Sequence, residues 1–323
     1  MLAILGVASE YSRNCIAAER HVGVFACSWG FRVFPLGCRG ELFQESCGLG
    51  NRRDVMSHLH ETSSTCLVQL VLPRVIIVGG GFGGLAAARA LRNTPVSVTL
   101  IDKRNYHLFR PMLYQVATGL LSGDEISRPL RSIFSHQKNV DVLLDEVTGI
   151  NPDQRIVHLT RGKLLYDFLI LATGIQYNYF GHDEWRHFAP GLESLDDADV
   201  IRGKILRAFE RAEEMASIEQ AGTEEIRRQL TFALVGAGTV GVEMASTLAE
   251  MSRMALAHDF RHIDPTSARI LLYEAEARIL PTYPEDLSIK AQQHLESLGV
   301  EVYPGLFVKV EQRRILARNE IRL

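Results

Sequence analysis

The stretch Arg74-Val75-Ile76-Ile77-Val78-Gly79-Gly80-Gly81-Phe82-Gly83-Gly84-Leu85-Ala86-Ala87-Ala88-Arg89-Ala90-Leu91 is followed by Val96-Ser97-Val98-Thr99-Leu100-Ile101-Asp102. It reads as an apolar strand, a glycine turn, a helix of small residues, and a second strand ending in an acid. In such a unit the first glycine permits the tight turn and the second lets the backbone approach a pyrophosphate. The third lets helix and strand pack closely. Free N–H groups and the dipole at the helix start favour the anion. Asp102 lies 23 residues after Gly79, near the spacing of about 20 expected for an acid that accepts ribose hydroxyls.

The pattern recurs. Thr231-Phe232-Ala233-Leu234-Val235 leads into Gly236-Ala237-Gly238-Thr239-Val240-Gly241, and Glu274 closes Ala268-Arg269-Ile270-Leu271-Leu272-Tyr273. Glu274 follows Gly236 by 38 residues, so the helix must run on or a loop must intervene. Met244, Leu248, Met251 and Ala255 continue the apolar stripe, and His262 to Thr266 with Pro265 supplies the loop. The candidate nucleotide-binding residues are Gly79, Gly81, Phe82, Gly83, Gly84, Asp102, Gly236, Gly238, Thr239, Val240, Gly241 and Glu274. Lys103-Arg104 reads equally as a cofactor contact or a solvated pair. Glu274, with Glu276, suits a 2′-hydroxyl and repels a 2′-phosphate, which favours NADH over NADPH despite the nearby Arg278. Two such sites in one chain imply two dinucleotides held together, as when a nicotinamide meets a flavin.

The chain of 323 residues carries 35 Lys plus Arg against 38 acidic residues. That balance gives nucleic-acid binding no electrostatic footprint. No run of 18 or more uncharged apolar residues suggests a membrane-spanning helix. The five cysteines end at Cys66, so no redox dithiol accompanies the glycine fingerprints, and no zinc spacing appears. His258 and His262, four apart on an expected helix, lack a third ligand, and no metal site is assigned. Residues 1–72 show no sustained periodicity. Leu2 to Ala8 resembles a short signal core but lacks a basic leader; the preferred reading is an extension ahead of Met56 whose removal leaves cofactor binding intact. Val140 to Leu144 reads as a third strand, Gly149 to Lys163 as a small antiparallel excursion, and Tyr166 to Leu171 as a buried strand. From Asp197 to Glu214, Ile201, Ile205, Leu206 and Phe209 mark an amphipathic helix that Gly222-Thr223 breaks.

Beyond the fingerprints, the chain resembles the type II (non-proton-pumping) NADH:quinone oxidoreductases of the two-dinucleotide flavoprotein superfamily. The resemblance rests on Asn105-Tyr106-His107-Leu108-Phe109-Arg110-Pro111-Met112-Leu113-Tyr114-Gln115-Val116-Ala117, on Tyr166 to Gly174, on Tyr179-Phe180-Gly181-His182-Asp183-Glu184-Trp185, and on Gly241-Val242-Glu243. It spans roughly residues 73 to 305. It implies an α/β fold of two Rossmann-like units, FAD in the first and NADH in the second. Lys103 would touch FAD, Val147 would meet the adenine through its backbone, and Thr173-Gly174 would line the crossover beside the flavin. A hydride would pass from NADH to FAD, and electrons onward to a membrane quinone. Glu243 would assist protonation or quinone contact; the alternative is a first-turn glutamate complementing the helix dipole.

The implied division is an extension over 1–72, an FAD-binding part over 73–192, a connecting segment over 193–228, an NADH-binding part over 229–311 and an atypical tail over 312–323. The resemblance further implies a peripheral protein on the cytoplasmic face of a bacterial-type inner membrane, and a homodimer is compatible with it. The charged end from Gln312 departs from the family pattern, as if the sequence were truncated near Gly305. The expectation is an incomplete FAD domain, weak flavin binding and no activity, with a cytoplasmic product if the membrane-binding region is absent. The competing readings are an inactive nucleotide-binding fragment and another FAD/NAD(P) oxidoreductase of the superfamily.

Overall fold

The computed structural model describes residues 2–5, 72–218, 222–311 and 314–318. The expectations for the extension from residue 6 to 71, its cysteines and Met56 lie outside the described residues. In chain order the elements are strand β1 (Leu2–Leu5), strand β2 (Arg74–Val78), helix α1 (Phe82–Ala90), strands β3 (Ser97–Asp102) and β4 (Tyr106–Leu108), helix α2 (Leu113–Ala117), strand β5 (Ser127–Pro129) and helix α3 (Leu130–Ile133). Strands β6 (Val140–Leu144), β7 (Val147–Asn151), β8 (Ile156–Leu159), β9 (Gly162–Leu165) and β10 (Phe168–Leu171) follow, then helices α4 (Leu195–Ser217) and α5 (Thr223–Gln229). The chain continues through β11 (Thr231–Val235), α6 (Thr239–Glu250), β12 (Arg269–Tyr273), α7 (Glu285–Ser297), β13 (Val300–Tyr303), β14 (Phe307–Glu311) and β15 (Arg314–Arg318).

Packing groups these elements into two compact units that are not contiguous in sequence. Residues 72–105 and 134–173 form one; residues 2–5, 106–133 and 174–318 belong to the other. In the first, four parallel strands lie in the order β10-β2-β3-β6. Numbered by sequence this is 4-1-2-3, the strand order of a dinucleotide-binding half. Helix α1 lies against β2, β3 and β10. On the sheet, Ile76, Val78 and Ile101 pack with Val157 and Tyr166 of the antiparallel β7-β8-β9 excursion. Gln137 Nε2 donates to the Ala88 carbonyl at 2.7 Å and Asn139 Nδ2 to that of Leu91 at 2.9 Å, satisfying acceptors that the helix end leaves open. Strand β10 is not buried as its apolar sequence suggested. It is the outermost strand, and Phe168 and Leu171 are 48% and 44% exposed.

The second unit repeats the design with a different chain path. Its parallel sheet runs β1-β11-β12-β13, so the place that β10 takes in the first unit is filled by β1, paired in parallel with β11 from Leu2↔Phe232 to Leu5↔Val235. In sequence the apolar run from Leu2 resembled a short signal core rather than a strand. Its core joins Phe209, Phe232, Leu234, Met244 and Leu248, and Phe209 stacks at 5.5 Å and 5.9 Å from Phe232 and Phe260. Helix α4 begins with a reciprocal cap: Asp197 N–H donates to Ser194 Oγ at 3.2 Å, and Ser194 N–H to the Asp197 carboxylate at 2.9 Å. Its stripe buries Ile201, Ile205 and Phe209 but leaves Leu206 41% exposed. Helix α6 ends in a π-turn over Met251–Ala255, and the stripe stops at buried Met251, because Ala255 is exposed. Residues 314–318 pair antiparallel with 307–311.

A single carboxylate fastens the loop after α6 to α4. Glu213 accepts from the N–H groups of Arg261, His262 and Ile263 at 3.1, 2.9 and 3.1 Å, and bonds His262 Nδ1 at 2.7 Å. Burial alone would raise its pKa, but these hydrogen bonds prevail and bring it from 4.5 to about 2. Because the folded value is depressed, the stabilisation is full above pH 4.5 and disappears as pH falls toward 2. Glu213→Gln should therefore lower stability by about 1–3 kcal/mol at pH 7, and the gap between variant and wild type in urea midpoints should narrow steadily from pH 5 to pH 3.

Candidate functional site

Each glycine fingerprint is a turn held by its own acid. In the first unit Gly79 has φ +108°, a left-handed conformation that glycine alone adopts without strain. A Cβ there would sit 2.2 Å from the Ala172 carbonyl oxygen, with Thr173 N at 3.2 Å. Thr173 thus runs alongside the turn; Gly174, at φ +77°, has open space where a Cβ would be. A Cβ on Gly84 would lie 1.8 Å from the Gly79 carbonyl oxygen. The first and third glycines are therefore demanded by the protein's own packing.

Gly81 differs. It is exposed, and a Cβ added there meets nothing within 4 Å. Nothing among the described residues requires it to be glycine. Open space of this kind is what the second glycine of such a turn leaves for close backbone approach by a pyrophosphate. Gly81 also opens α1 without a side-chain cap hydrogen bond. Phe82, 52% exposed, is the first helical residue, and Gly83 sits 3.6 Å from the Ala172 side chain by the same measure.

Asp102 ties the turn together. Gly80 N–H donates to its Oδ2 at 2.5 Å and Arg104 N–H to its Oδ1 at 2.7 Å. The second unit repeats this bond for bond: Ala237 N–H donates to Glu274 Oε2 at 2.6 Å, and Glu276 N–H to Oε1 at 3.0 Å. Gly236 has φ +95°, and Gly238 opens α6 uncapped just as Gly81 opens α1. Thr239 and Val240 form the first turn, exposed and half-buried respectively, and Gly241 is buried. The 38-residue interval is accounted for by the π-turn and the loop that Glu213 holds.

Sequence reading missed how the residues after Glu274 close around the second turn. Leu280 N–H donates to the Ala237 carbonyl at 2.8 Å while Leu280 itself takes φ +47°, an unusual backbone for a bulky residue. Arg278 reaches the carbonyls of Pro281 and Tyr283, both at 2.8 Å, so its guanidinium is engaged within its own loop. Only the flanking Pro281 and Pro284 signalled such a turn.

Two expectations change. Glu243 is not a first-turn residue: α6 starts at Thr239 and has no acid in its first turn. Its carboxyl is half-buried, accepts no hydrogen bond among the described residues, and is pushed above the usual carboxylate range by burial. A dipole partner would be shifted the other way. His258 and His262 do not share a helix, and His262 is spoken for by Glu213. Val147 opens β7 and packs in the apolar cluster against Val157, while Lys103 is exposed. Among the described residues no group of three or more His, Cys, Asp or Glu could hold a metal ion.

Known proteins share this arrangement. Residues 73–320 match the pyridine nucleotide-disulphide oxidoreductase family. The chain is 47% identical over 262 residues to the type II NADH:quinone oxidoreductase NdhA of Mycobacterium tuberculosis, covering 75% of this chain and 54% of that protein. It is 45% identical over 239 residues to the Ndh protein of the same organism, covering 73% and 50%. The structure of NDH2 from Plasmodium falciparum in complex with NADH superposes with a TM-score of 0.68 at 25% identity, over 76% of this chain and 51% of that one. The chain thus spans about half the length of the relatives it matches.

The glycines separate folding from binding. Gly84→Ala should destabilise its unit by about 1–3 kcal/mol or more, since the added methyl overlaps a backbone carbonyl. Gly81→Ala should melt with wild type yet take up less dinucleotide. Thermal unfolding and cofactor titration of both variants check this, and equal melting temperatures for the two would refute it.

Proposed function

The chain belongs to the pyridine nucleotide-disulphide oxidoreductase family, and on that premise we propose that it carries the nucleotide-binding machinery of an NADH dehydrogenase that uses FAD and delivers electrons to a quinone. One observation supports this above the rest: two uncapped helix starts, each behind a glycine turn and each braced by a carboxylate. FAD is assigned to the turn at Gly79 to Gly84 with Asp102, Lys103, Val147, Thr173 and Gly174; NADH is assigned to Gly236, Gly238, Thr239, Val240, Gly241 and Glu274. FAD, when bound, supplies the redox centre between the two substrates. The chain's residues bind and orient: the turns present N–H groups to the pyrophosphates, and the acids keep unused acceptor positions for ribose.

NADH is preferred because Glu274 and Glu276 flank the ribose position while Arg278 is committed to backbone carbonyls. No cysteine occurs in the matched span 73–320, so a dithiol relay of the kind the family name denotes has no residues there. The quinone comes from the names of the mycobacterial relatives. Attachment to a membrane surface is part of the proposal, and among the described residues no helix is long and apolar enough to cross a membrane.

Chain purified with FAD should show flavin absorption that NADH bleaches and a quinone restores, with NADPH slower by about tenfold or more. Protein that stays colourless, or flavin that NADH leaves oxidised, defeats this reading and leaves nucleotide binding alone. Glu243 is proposed as a proton donor, because burial keeps its carboxyl protonated to higher pH. Glu243→Gln should leave bleaching by NADH intact, slow quinone reduction by about tenfold or more, and abolish the decline of quinone reduction as pH rises through the carboxyl's elevated pKa.

A further inference from the structure

A groove of about 570 Å³ lies over the outer face of α4. Its lining is Arg186 and His187 from the 3₁₀ turn at Asp183–His187, Lys204, Arg207 and Arg211 from α4, Gln229 from the end of α5, and an apolar floor that includes Phe188 and Pro190. Among the described residues no carboxylate lines it. The chain as a whole is acidic, with a net charge of −3, so this concentration of cations runs against the composition.

The helix spacing makes the cluster costly. Lys204, Arg207 and Arg211 follow one another at three and four residues on one face, where like charges destabilise a helix. Elsewhere the chain avoids this: Arg202 pairs with Asp199, Arg228 with Glu224, and Lys290 with Asp286. Arg207 has Gly203 and Lys204 at the corresponding positions, and Arg211 has Arg207 and Ala208; Glu210 and Glu214 stand three residues after the two arginines, on the less favourable side for pairing. Among the described residues neither arginine forms a salt bridge. Arg186 is braced from a separate element, its guanidinium 5.0 Å over the Tyr179 ring.

We propose that this groove binds a small soluble molecule bearing a di- or triphosphate. Three of its four permanent cations are guanidinium groups, whose planar donor pairs match phosphate oxygens. The size of this half-open groove and its apolar floor fit a compact ligand. The groove is not the nucleotide turn of the same unit: Gln229 stands just before the first residue of β11, and Gly236 just after its last. The proposal does not depend on the assignment of FAD and NADH.

Calorimetric titration of the whole chain with inorganic triphosphate, at 0.15 M salt and with NADH saturating, tests it. One saturable site is expected, weakened at least about tenfold, or about 1.4 kcal/mol, in Arg207→Gln/Arg211→Gln. Arg186→Gln, on a different element, should weaken it as well. Circular dichroism and unchanged NADH binding verify that the variants fold. Three outcomes overturn the proposal: no binding by wild type, equal binding by the variants, or binding of phosphatidylglycerol vesicles without binding of triphosphate.

Discussion

Both nucleotide units depend on a carboxylate that closes a glycine turn from the side. Asp102 and Glu274 each stand at the end of the second strand of their sheet, and each accepts the N–H of the residue after the first glycine. A charge-assisted bond to a backbone donor is stronger than a neutral one, and here it fixes the turn before any ligand arrives. The acid therefore serves the protein directly, and in the proposed assignment its remaining lone pairs would serve the nucleotide as well. Removing the carboxylate disturbs both, so a loss of binding after such a change would not identify which role had failed. The glycines do separate the two: Gly84 faces the protein's own backbone, whereas Gly81 faces open space.

Strand order explains why these turns lie where they do. In β10-β2-β3-β6 the sequence order reverses between β2 and β10, and the Gly79 turn leaves the carboxyl end of β2 at that point. Helices can leave a parallel sheet on opposite faces there, which opens a crevice for a ligand. The other unit fills the corresponding place with β1, a strand from the far end of the sequence, so its sequence order runs without reversal from β1 to β13. What the two units share is thus the spatial arrangement about the first strand rather than the covalent path that completes it.

Much of this was legible in the residues. A strand of β-branched residues, a glycine cluster, a run of alanines and a terminal acid agree at every level, so their reading and the structure coincide to within a residue or two. The failures have physical causes. Leu2 to Leu5 is too short an apolar run for periodicity to distinguish strand from other structure. Phe168 and Leu171 look like core residues because apolarity reports what a strand can bury and not what is beside it. Leu206 and Ala255 fit a helical stripe by spacing, yet one lies at its edge and the other beyond a π-turn that no local signal announced. His258 and His262 suggested a shared ligand only while the intervening chain was taken as helical. The hold of Glu213 on residues 261–263 crosses nearly fifty positions and leaves no pattern to read.

Glu243 shows how a boundary error of one turn changes a chemical argument. Placed in the first turn, its charge would be stabilised by the helix start and its pKa lowered. The structure puts it at the fifth position of α6, half-buried and without a hydrogen-bond donor, and its pKa moves up. A carboxyl in that state costs stability when ionised and returns nothing to the helix. Its neighbours Ser246 and Thr247 bond the Glu243 carbonyl rather than its carboxyl, leaving the acid's proton uncommitted. A carboxyl whose pKa is raised by burial, with no hydrogen-bond partner among the described residues, is better suited than an ordinary one to give a proton to something that arrives.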